Sequence, residues 1–399
     1  MLTPRTTLSR RVIAALDASP SRIPVLIGGC GSGRSVVMQQ LRDRLGRTHA
    51  QYIDVDRTAT TPERFLRAIT ASSPFASGDA VPTGPRGAFE ATLAFFNRAR
   101  AGSHEPATFL LDEFLELRTF ESFPGLRRVL FDLVDHLATS GNRFVLSSRY
   151  SARTLRLLRE RSARFEVIHV QPLTAEDTLD IIGPGAEYAG ATVRDAEYVA
   201  RTVHALGDGR PIYVQALSAE LAAMRERGVP GGSDAVSALA ALMAPGGALA
   251  KQCAFSYELR LHRARGYGAL KAILDILADE EELTLTNISL RLQRTPGSTK
   301  DYLSWLEDVD LVVASRKRYR YVDPLLRVWV RLHCRPTPPT EEEVAREIHR
   351  YAMPRLPIPG DVADLPEVPP TPEPALALAA AGAAPADDER RDWGIIEID

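Results

Sequence analysis

A chain of 399 residues has room for two or three cores, and 45% hydrophobic with 25% charged side chains describes an ordinary globular protein, neither membrane-embedded nor wholly disordered. A formal net charge of -2 argues against a protein that coats nucleic acid with its whole surface, although a local basic patch can hide inside that sum. Three cysteines, Cys30, Cys253 and Cys334, lie far apart without metal-ligand spacing, which argues against a disulfide framework and fits a reducing, cytoplasmic setting. No signal-length apolar segment opens the chain and the longest apolar run, at 375–384, is too short to span a bilayer, so no membrane partner is expected.

From residue 24 to 170, short runs rich in Val, Ile, Leu and Phe alternate with longer helical stretches, the pattern of a parallel sheet covered on both faces. Strands are predicted at 25–27, 52–55, 108–111, 143–146 and 166–170, and each ends in polar or glycine-containing sequence. Open α/β sheets place their ligands at those C-terminal ends.

The first strand leads into Gly28-Gly29-Cys30-Gly31-Ser32-Gly33-Arg34-Ser35 and then a helix beginning at Val36. Glycines allow the backbone N–H groups to converge on a phosphate, and the helix N-terminus adds partial positive charge. Ser35 has the position of a hydroxyl ligand to Mg²⁺. Arg34 stands where the pattern G-x-x-x-x-G-K-[ST] has lysine, and a wide planar fork is a poor substitute for a compact ammonium in a tight loop. The third strand ends in Asp112-Glu113: in such a site the first carboxylate holds magnesium and the second polarises the attacking water. The fourth ends in Ser147-Ser148-Arg149, where Arg149 is placed to sense the third phosphate, with Arg153 as a weaker candidate.

Beyond Pro172-Leu173 the pattern is helix upon helix to about His262, opening with Thr174 as an N-cap and containing the loop Gly207-Asp208-Gly209-Arg210-Pro211. Residues 266–334 show three short helices and a hairpin with a basic tip, which suggests a winged helix-turn-helix. In that unit Arg316, Lys317, Arg318 and Arg320 interleave with Tyr319 and Tyr321, a cluster able to make salt-sensitive contacts to DNA phosphates. Asp301, Glu307 and Asp308 on the 297–308 helix would repel phosphates, which favours packing of the unit on the core or on a partner. After Arg335 the chain turns to Pro, Ala and acidic residues and is read as a largely disordered tail. Two islands interrupt it, an amphipathic helix at 341–351 placed to cover the basic tip and the terminal peptide beginning at Trp393.

Several of these stretches, in order, resemble one family. The loop at 28–35, Leu110-Leu111-Asp112-Glu113, Ser147-Ser148-Arg149, Gly209-Arg210-Pro211 and Tyr319-Arg320-Tyr321-Val322-Asp323-Pro324-Leu325-Leu326-Arg327-Val328-Trp329 are similar to AAA+-related ATPases of the STAND group, archaeal-type members with an appended winged helix. The likeness covers roughly residues 10 to 335. It implies that Arg149 is the sensor after the fourth strand, that Arg210 and Pro211 meet bound nucleotide, and that the protein switches between ADP and ATP states. Two departures stand out: Arg34 for the usual lysine, and no Gly-Arg-Glu segment around residues 8–15.

The sequence therefore predicts a P-loop NTPase three-layer α/β sheet of AAA+/STAND type at 1–173, a helical lid at 174–262, a winged helix at 263–335 and the tail at 336–399. The predicted activity is ATP and Mg²⁺ binding with slow or partner-stimulated hydrolysis, used to switch conformation, self-assembly or a protein partner. In that reading the backbone of residues 28–33, Arg34 and Val36 cradle phosphates, Ser35 and Asp112 hold metal, and Glu113 is the base. The alternatives are a non-hydrolysing scaffold locked on nucleotide and a DNA-binding regulator.

Overall fold

Five apolar runs become five parallel strands because their alternate side chains are apolar on both faces. β1 (Ile23–Ile27), β2 (Ala50–Asp54), β3 (Thr108–Asp112), β4 (Arg143–Ser148) and β5 (Phe165–His169) form one sheet in the order β2-β3-β4-β1-β5. The computed structural model describes residues 5–75, 82–102, 105–159, 161–182, 193–228, 234–262 and 266–357. On one face Leu26, Leu110, Val145 and Ile168 pack under the helices Thr6–Asp17 and Arg34–Leu45. On the other, Val25, Ile27, Phe109, Leu111, Phe144 and Leu146 meet the remaining helices, with Phe109 and Phe144 stacked at 5.5 Å.

Register places the chemistry. Ile27 pairs with Ser148 and Leu111 with Leu146, so the loops leaving β1, β4 and β3 emerge side by side at one edge. The three polar stretches read from the sequence are thereby brought together, although more than a hundred positions of chain separate the first from the last.

The helical segment that follows includes Ala175–Ile182, Val193–Leu206, Pro211–Glu226, Ala235–Met243 and Ala248–Leu261. Its first helix opens on a reciprocal cap, Asp177 N–H donating to Thr174 Oγ1 (3.0 Å) and Thr174 N–H to Asp177 Oδ2 (2.8 Å). Next come the helices Tyr267–Asp279, Leu285–Leu292 and Pro296–Asp308 with an antiparallel sheet of β6 (Leu283–Thr284), β8 (Arg318–Tyr321) and β7 (Val312–Ser315). Arg316 and Lys317 turn the hairpin, both at positive φ (50° and 65°), the backbone twist that a two-residue hairpin loop demands.

The folded body continues past residue 335. The helix Glu341–Ala352 starts on a capping box, Thr340 with Glu343, and buries Val344, Ile348 and Tyr351, whose hydroxyl donates to Leu206 O (2.8 Å). Instead of covering the basic hairpin tip, its Glu347 pairs with Arg331 at 2.7 Å on the helix Pro324–His333. The apolar spacing of this helix was visible in the sequence; what it packs on was not, because its partners lie in distant elements. The rest of the predicted tail, from 358 onward and including Trp393, lies outside the described residues. Among the described residues no helix is long and apolar enough to cross a membrane.

Ile348→Ala is expected to cost about 3 kcal/mol in urea unfolding, from lost burial and the cavity left behind. Arg346→Ala, on the exposed face of the same helix, should stay within about 0.5 kcal/mol.

Candidate functional site

The loop after β1 is shaped by its glycines and by what presses on them. Gly31 sits at φ +77°, and a Cβ there would lie 2.3 Å from Ile212 Cγ2, so the lid residue closes on the loop only because no side chain intervenes. Gly33, at φ +85°, is the N-cap of the helix Arg34–Leu45, and no side chain caps that helix. Its first N–H groups are thus left for an outside acceptor, the arrangement an anionic group needs. Beside the loop, a cavity of about 270 Å³ is walled by Leu173, Ile181 and Ile212, with Gln40 and Gln215 polar and Arg5 also on its wall. Apolar walls with a few amides suit a flat heterocycle and a sugar next to the phosphate cradle.

Arg34 is buried, at 6% exposure, and turned into the loop. Its Nη1 donates to the carbonyls of Gly28 and Gly29 (the latter at 2.6 Å) and to Ser32 Oγ (2.9 Å). Its Nη2 donates to Glu113 Oε1 at 2.7 Å. From the other side Arg149 gives its backbone N–H to Glu113 Oε2 (2.9 Å), with Nε at 3.1 Å from the same oxygen. Arg149 Nη2 reaches on to Asp56 Oδ2 at 2.8 Å. Glu113, itself at φ 57°, is thus held between two guanidinium groups. Burial pushes its carboxyl up, but Arg34 and Arg149 outweigh burial and leave it below the ordinary glutamate range. Arg149 shifts the other way: burial works against its charge, yet Glu113 and Asp56 hold it above the usual arginine value.

Asp112 is oriented separately. Ser147 Oγ donates to its Oδ1, and Tyr52 O–H to its Oδ2 at 2.7 Å. A carboxylate has about four acceptor sites, so two remain for a hydrated cation. Ser35 lines the cavity at the loop's end. The donor set of one hydroxyl and one carboxylate, beside an uncapped helix N-terminus, fits a magnesium ion carried in with phosphate oxygens. Among the described residues no group of three or more His, Cys, Asp and Glu forms a separate metal site.

The lid touches the loop through Pro211, which lies 3.6 Å from a Cβ built on Gly33, and through Arg210, 3.4 Å from one built on Gly29. Arg210 is nonetheless committed elsewhere: Nη2 donates to Val322 O (2.6 Å) and Nη1 lies 3.3 Å from Asp323 Oδ2. Tyr213 O–H donates to the same Asp323 oxygen at 2.6 Å, while Oδ1 accepts from Leu325 and Leu326 N–H at the start of Pro324–His333. Burial depresses Arg210, and Asp323 more than restores it above its ordinary value.

Cys30, in the middle of the loop, meets a third guanidinium, Arg260, from the helix Ala248–Leu261. Burial raises the thiol, but Arg260, Arg149 and Arg34 together bring it below its ordinary value. Arg260 Nη1 donates to Asp310 O (2.9 Å), and Asp310 Oδ2 accepts from Ser151 N–H (2.7 Å). Arg156 pairs with Asp308 nearby, so the acidic end of Pro296–Asp308 docks on the helix Ser151–Leu158. Arg153 faces the Tyr150 and Trp305 rings, at 5.3 and 5.9 Å, and is not directed at the loop.

A Walker-type ATPase of Pyrococcus abyssi, PABY2304, superimposes with a TM-score of 0.60 at 16% identity, over 83% of this chain and 96% of that one. The fold is that of a P-loop ATPase. An Orc1 protein of Aeropyrum pernix in complex with DNA (TM-score 0.45, 18% identity, 89% of this chain and 94% of that chain) and a RuvB variant of Thermotoga maritima (0.41, 12%, 80% and 92%) are looser matches. No protein-family model and no curated protein sequence matches the chain.

Within this P-loop fold, Gly28 to Ser35, Asp112, Glu113, Arg149, Arg210 and Pro211 gather around one loop. Sequence reading missed Asp56, Tyr52, Ile212, Arg260 and Asp323 as participants, because each arrives from an element with no motif of its own or from a motif read only as part of a hairpin. Asp323 alone carried a local signal, an Asp-Pro pair ahead of an apolar helix.

Burial raises the Asp310 carboxyl to about 6, against the opposing pull of the Ser151 and Ala152 N–H groups and of Arg260 and Arg34. Between about pH 4 and that value the folded chain holds a proton that the unfolded chain has released. The associated stability is therefore present at low pH and lost as pH rises through the folded value. Calorimetry across about pH 4 to 6.5 should show wild-type Tm falling relative to Asp310→Asn; parallel profiles would contradict the assignment.

Proposed function

We propose that the chain binds ATP and ADP with Mg²⁺ and uses the third phosphate to switch its own conformation or its assembly with a protein partner. The observation that supports this most directly is the clamp on Glu113, whose two oxygens are taken by Arg34 and Arg149 at the mouth of an uncapped, glycine-lined helix start. A carboxylate so engaged cannot polarise water. Phosphate oxygens carry more charge than a carboxylate and match the guanidinium fork equally well. A triphosphate in the loop therefore competes with Glu113 for both arginines, and Glu113 is freed only when the third phosphate is there to be attacked. Arg34 would hold the bridging phosphates and Arg149 the terminal one, while the backbone N–H groups of residues 28–33 and of Val36 close the cradle. Ser35 and Asp112 would hold Mg²⁺, which would supply positive charge to neutralise phosphate oxygens. Turnover is slow in this reading, because two buried ion pairs must exchange partners first.

Cys30 is part of the loop itself, so Mg-ADP at about ten times its Kd should slow its alkylation about tenfold. Unchanged alkylation at saturating nucleotide would sink the proposal. Glu113→Gln keeps an acceptor for Arg34 and should leave ADP affinity within a few-fold while lowering turnover by about a hundredfold, the usual share of a general base.

A second reading rests on the bonds Arg34 makes inside its own loop: a nucleotide once seated is locked, and the chain is a scaffold. Single-turnover hydrolysis separates the two. Slow but measurable wild-type turnover supports the switch, whereas no wild-type turnover with rescue in Arg34→Lys supports the lock. The DNA reading draws on Arg316 and Lys317, exposed at the hairpin turn, with Arg318 and Arg320 drawn toward Glu282. It has less behind it, since the acidic end of the helix meant to read bases is spent on Arg156.

A further inference from the structure

A second cavity, of about 410 Å³, lies where the 3-10 segment Phe114–Ser122, the residues after β4, the helix Ala248–Leu261 and the end of Pro296–Asp308 meet. Its charged wall is Arg118, Arg153 and Arg260, facing Glu116 and Glu121; its apolar wall includes Tyr150 and Trp305. Three features set it apart from ordinary surface polarity. Arg153 is wedged between two aromatic rings, at 5.3 Å from Tyr150 and 5.9 Å from Trp305, which fixes the plane of its guanidinium without supplying a counter-charge. Burial and then the neighbouring charge of Arg118 depress its ionisation, and Asp308 and Glu116 do not restore it. Arg118 meets Glu121 only at 3.7 Å with both side chains well exposed, a pairing of little strength. Arg260, at 2% exposure, has a buried Nε without a hydrogen-bond partner among the described residues.

We propose that this cavity is a binding site for a small oxyanion, a phosphorylated or carboxylated metabolite, held in the plane of the Arg153 fork and between Arg153 and Arg118. Guanidinium groups recognise both phosphate and carboxylate by paired hydrogen bonds, and a cleft of this volume suits a metabolite and not a macromolecular chain. The site is separate from the phosphate loop, but Arg260 joins them, since the same side chain lines this cavity and hydrogen-bonds to Cys30. A ligand here would draw together the core, the lid helix and the hairpin unit, and would bias whatever opening the loop undergoes.

The full chain, with and without saturating Mg-ADP, is titrated calorimetrically with inorganic phosphate, pyrophosphate and citrate at matched ionic strength in sodium chloride. Saturable heat from at least one anion in the presence of Mg-ADP is the expected result, pyrophosphate or citrate alone telling phosphate from carboxylate chemistry. Arg153→Gln should weaken it by about tenfold or more, the loss of one charge-assisted pair, and Trp305→Phe should remove the accompanying fluorescence change while retaining the heat. Should Arg153→Gln not fold, Arg118→Gln, on the exposed rim, is held to the same standard. No saturable heat in the wild type, or equal affinity in the folded arginine variant, overturns the proposal. Because pyrophosphate and citrate chelate Mg²⁺, the heats of protein-free titrations into the same Mg-ADP buffer are subtracted; a separate ADP titration without binding then marks failure of the first site, while this site is judged on the remaining anion heat alone.

Discussion

The site depends on one buried carboxylate shared by two guanidinium groups. Arg34, Glu113 and Arg149 are each at or below 9% exposure, so two positive charges and one negative have been taken out of water together. Desolvating such ions costs several kcal/mol each, and their mutual attraction offsets this only with good geometry and further hydrogen bonds. Glu113 meets that condition with close contacts on both oxygens; Arg34 adds the loop carbonyls and Arg149 adds Asp56. With Asp56 counted, the two guanidinium groups are matched by two carboxylates, and Arg260 at Cys30 adds one further positive charge beside the loop.

Arginine at position 34 changes the logic of the loop. A lysine offers one compact group with three donors and is free to follow a phosphate; the arginine fork reaches two places at once, the loop carbonyls and Glu113. Glu113 and the glycine loop are therefore coupled through one side chain in a way that a lysine would not impose. The same substitution that looked like a weakness in the sequence supplies the contact that holds one oxygen of Glu113.

What the sequence disclosed and what it withheld follow from distance along the chain. Strands, the glycine loop, the Asp112-Glu113 pair and Arg149 were legible because each is a local pattern, and the register of a parallel sheet aligns them without further information. The helix Glu341–Ala352 was legible as an amphipathic stretch, yet its place in the main core could not be read, since Leu206 and Arg331 lie in other helices. Arg153 shows the same limit: local sequence placed it beside Arg149, whereas its guanidinium faces Trp305, some hundred and fifty positions away. Contacts across elements are invisible to periodicity.

Asp323 has a further consequence. One of its oxygens caps the helix Pro324–His333, and the other accepts from Tyr213 and faces Arg210. A side chain so placed cannot yield to one neighbour without loosening the other. Parting the lid from the hairpin unit would leave Arg210 and Tyr213 without their acceptor, or else fray the first turn of the helix. Intermediate degrees of separation would carry that penalty with no compensating contact. The joint is thus a rivet between lid, hairpin and helix, in which one carboxylate carries three duties at once.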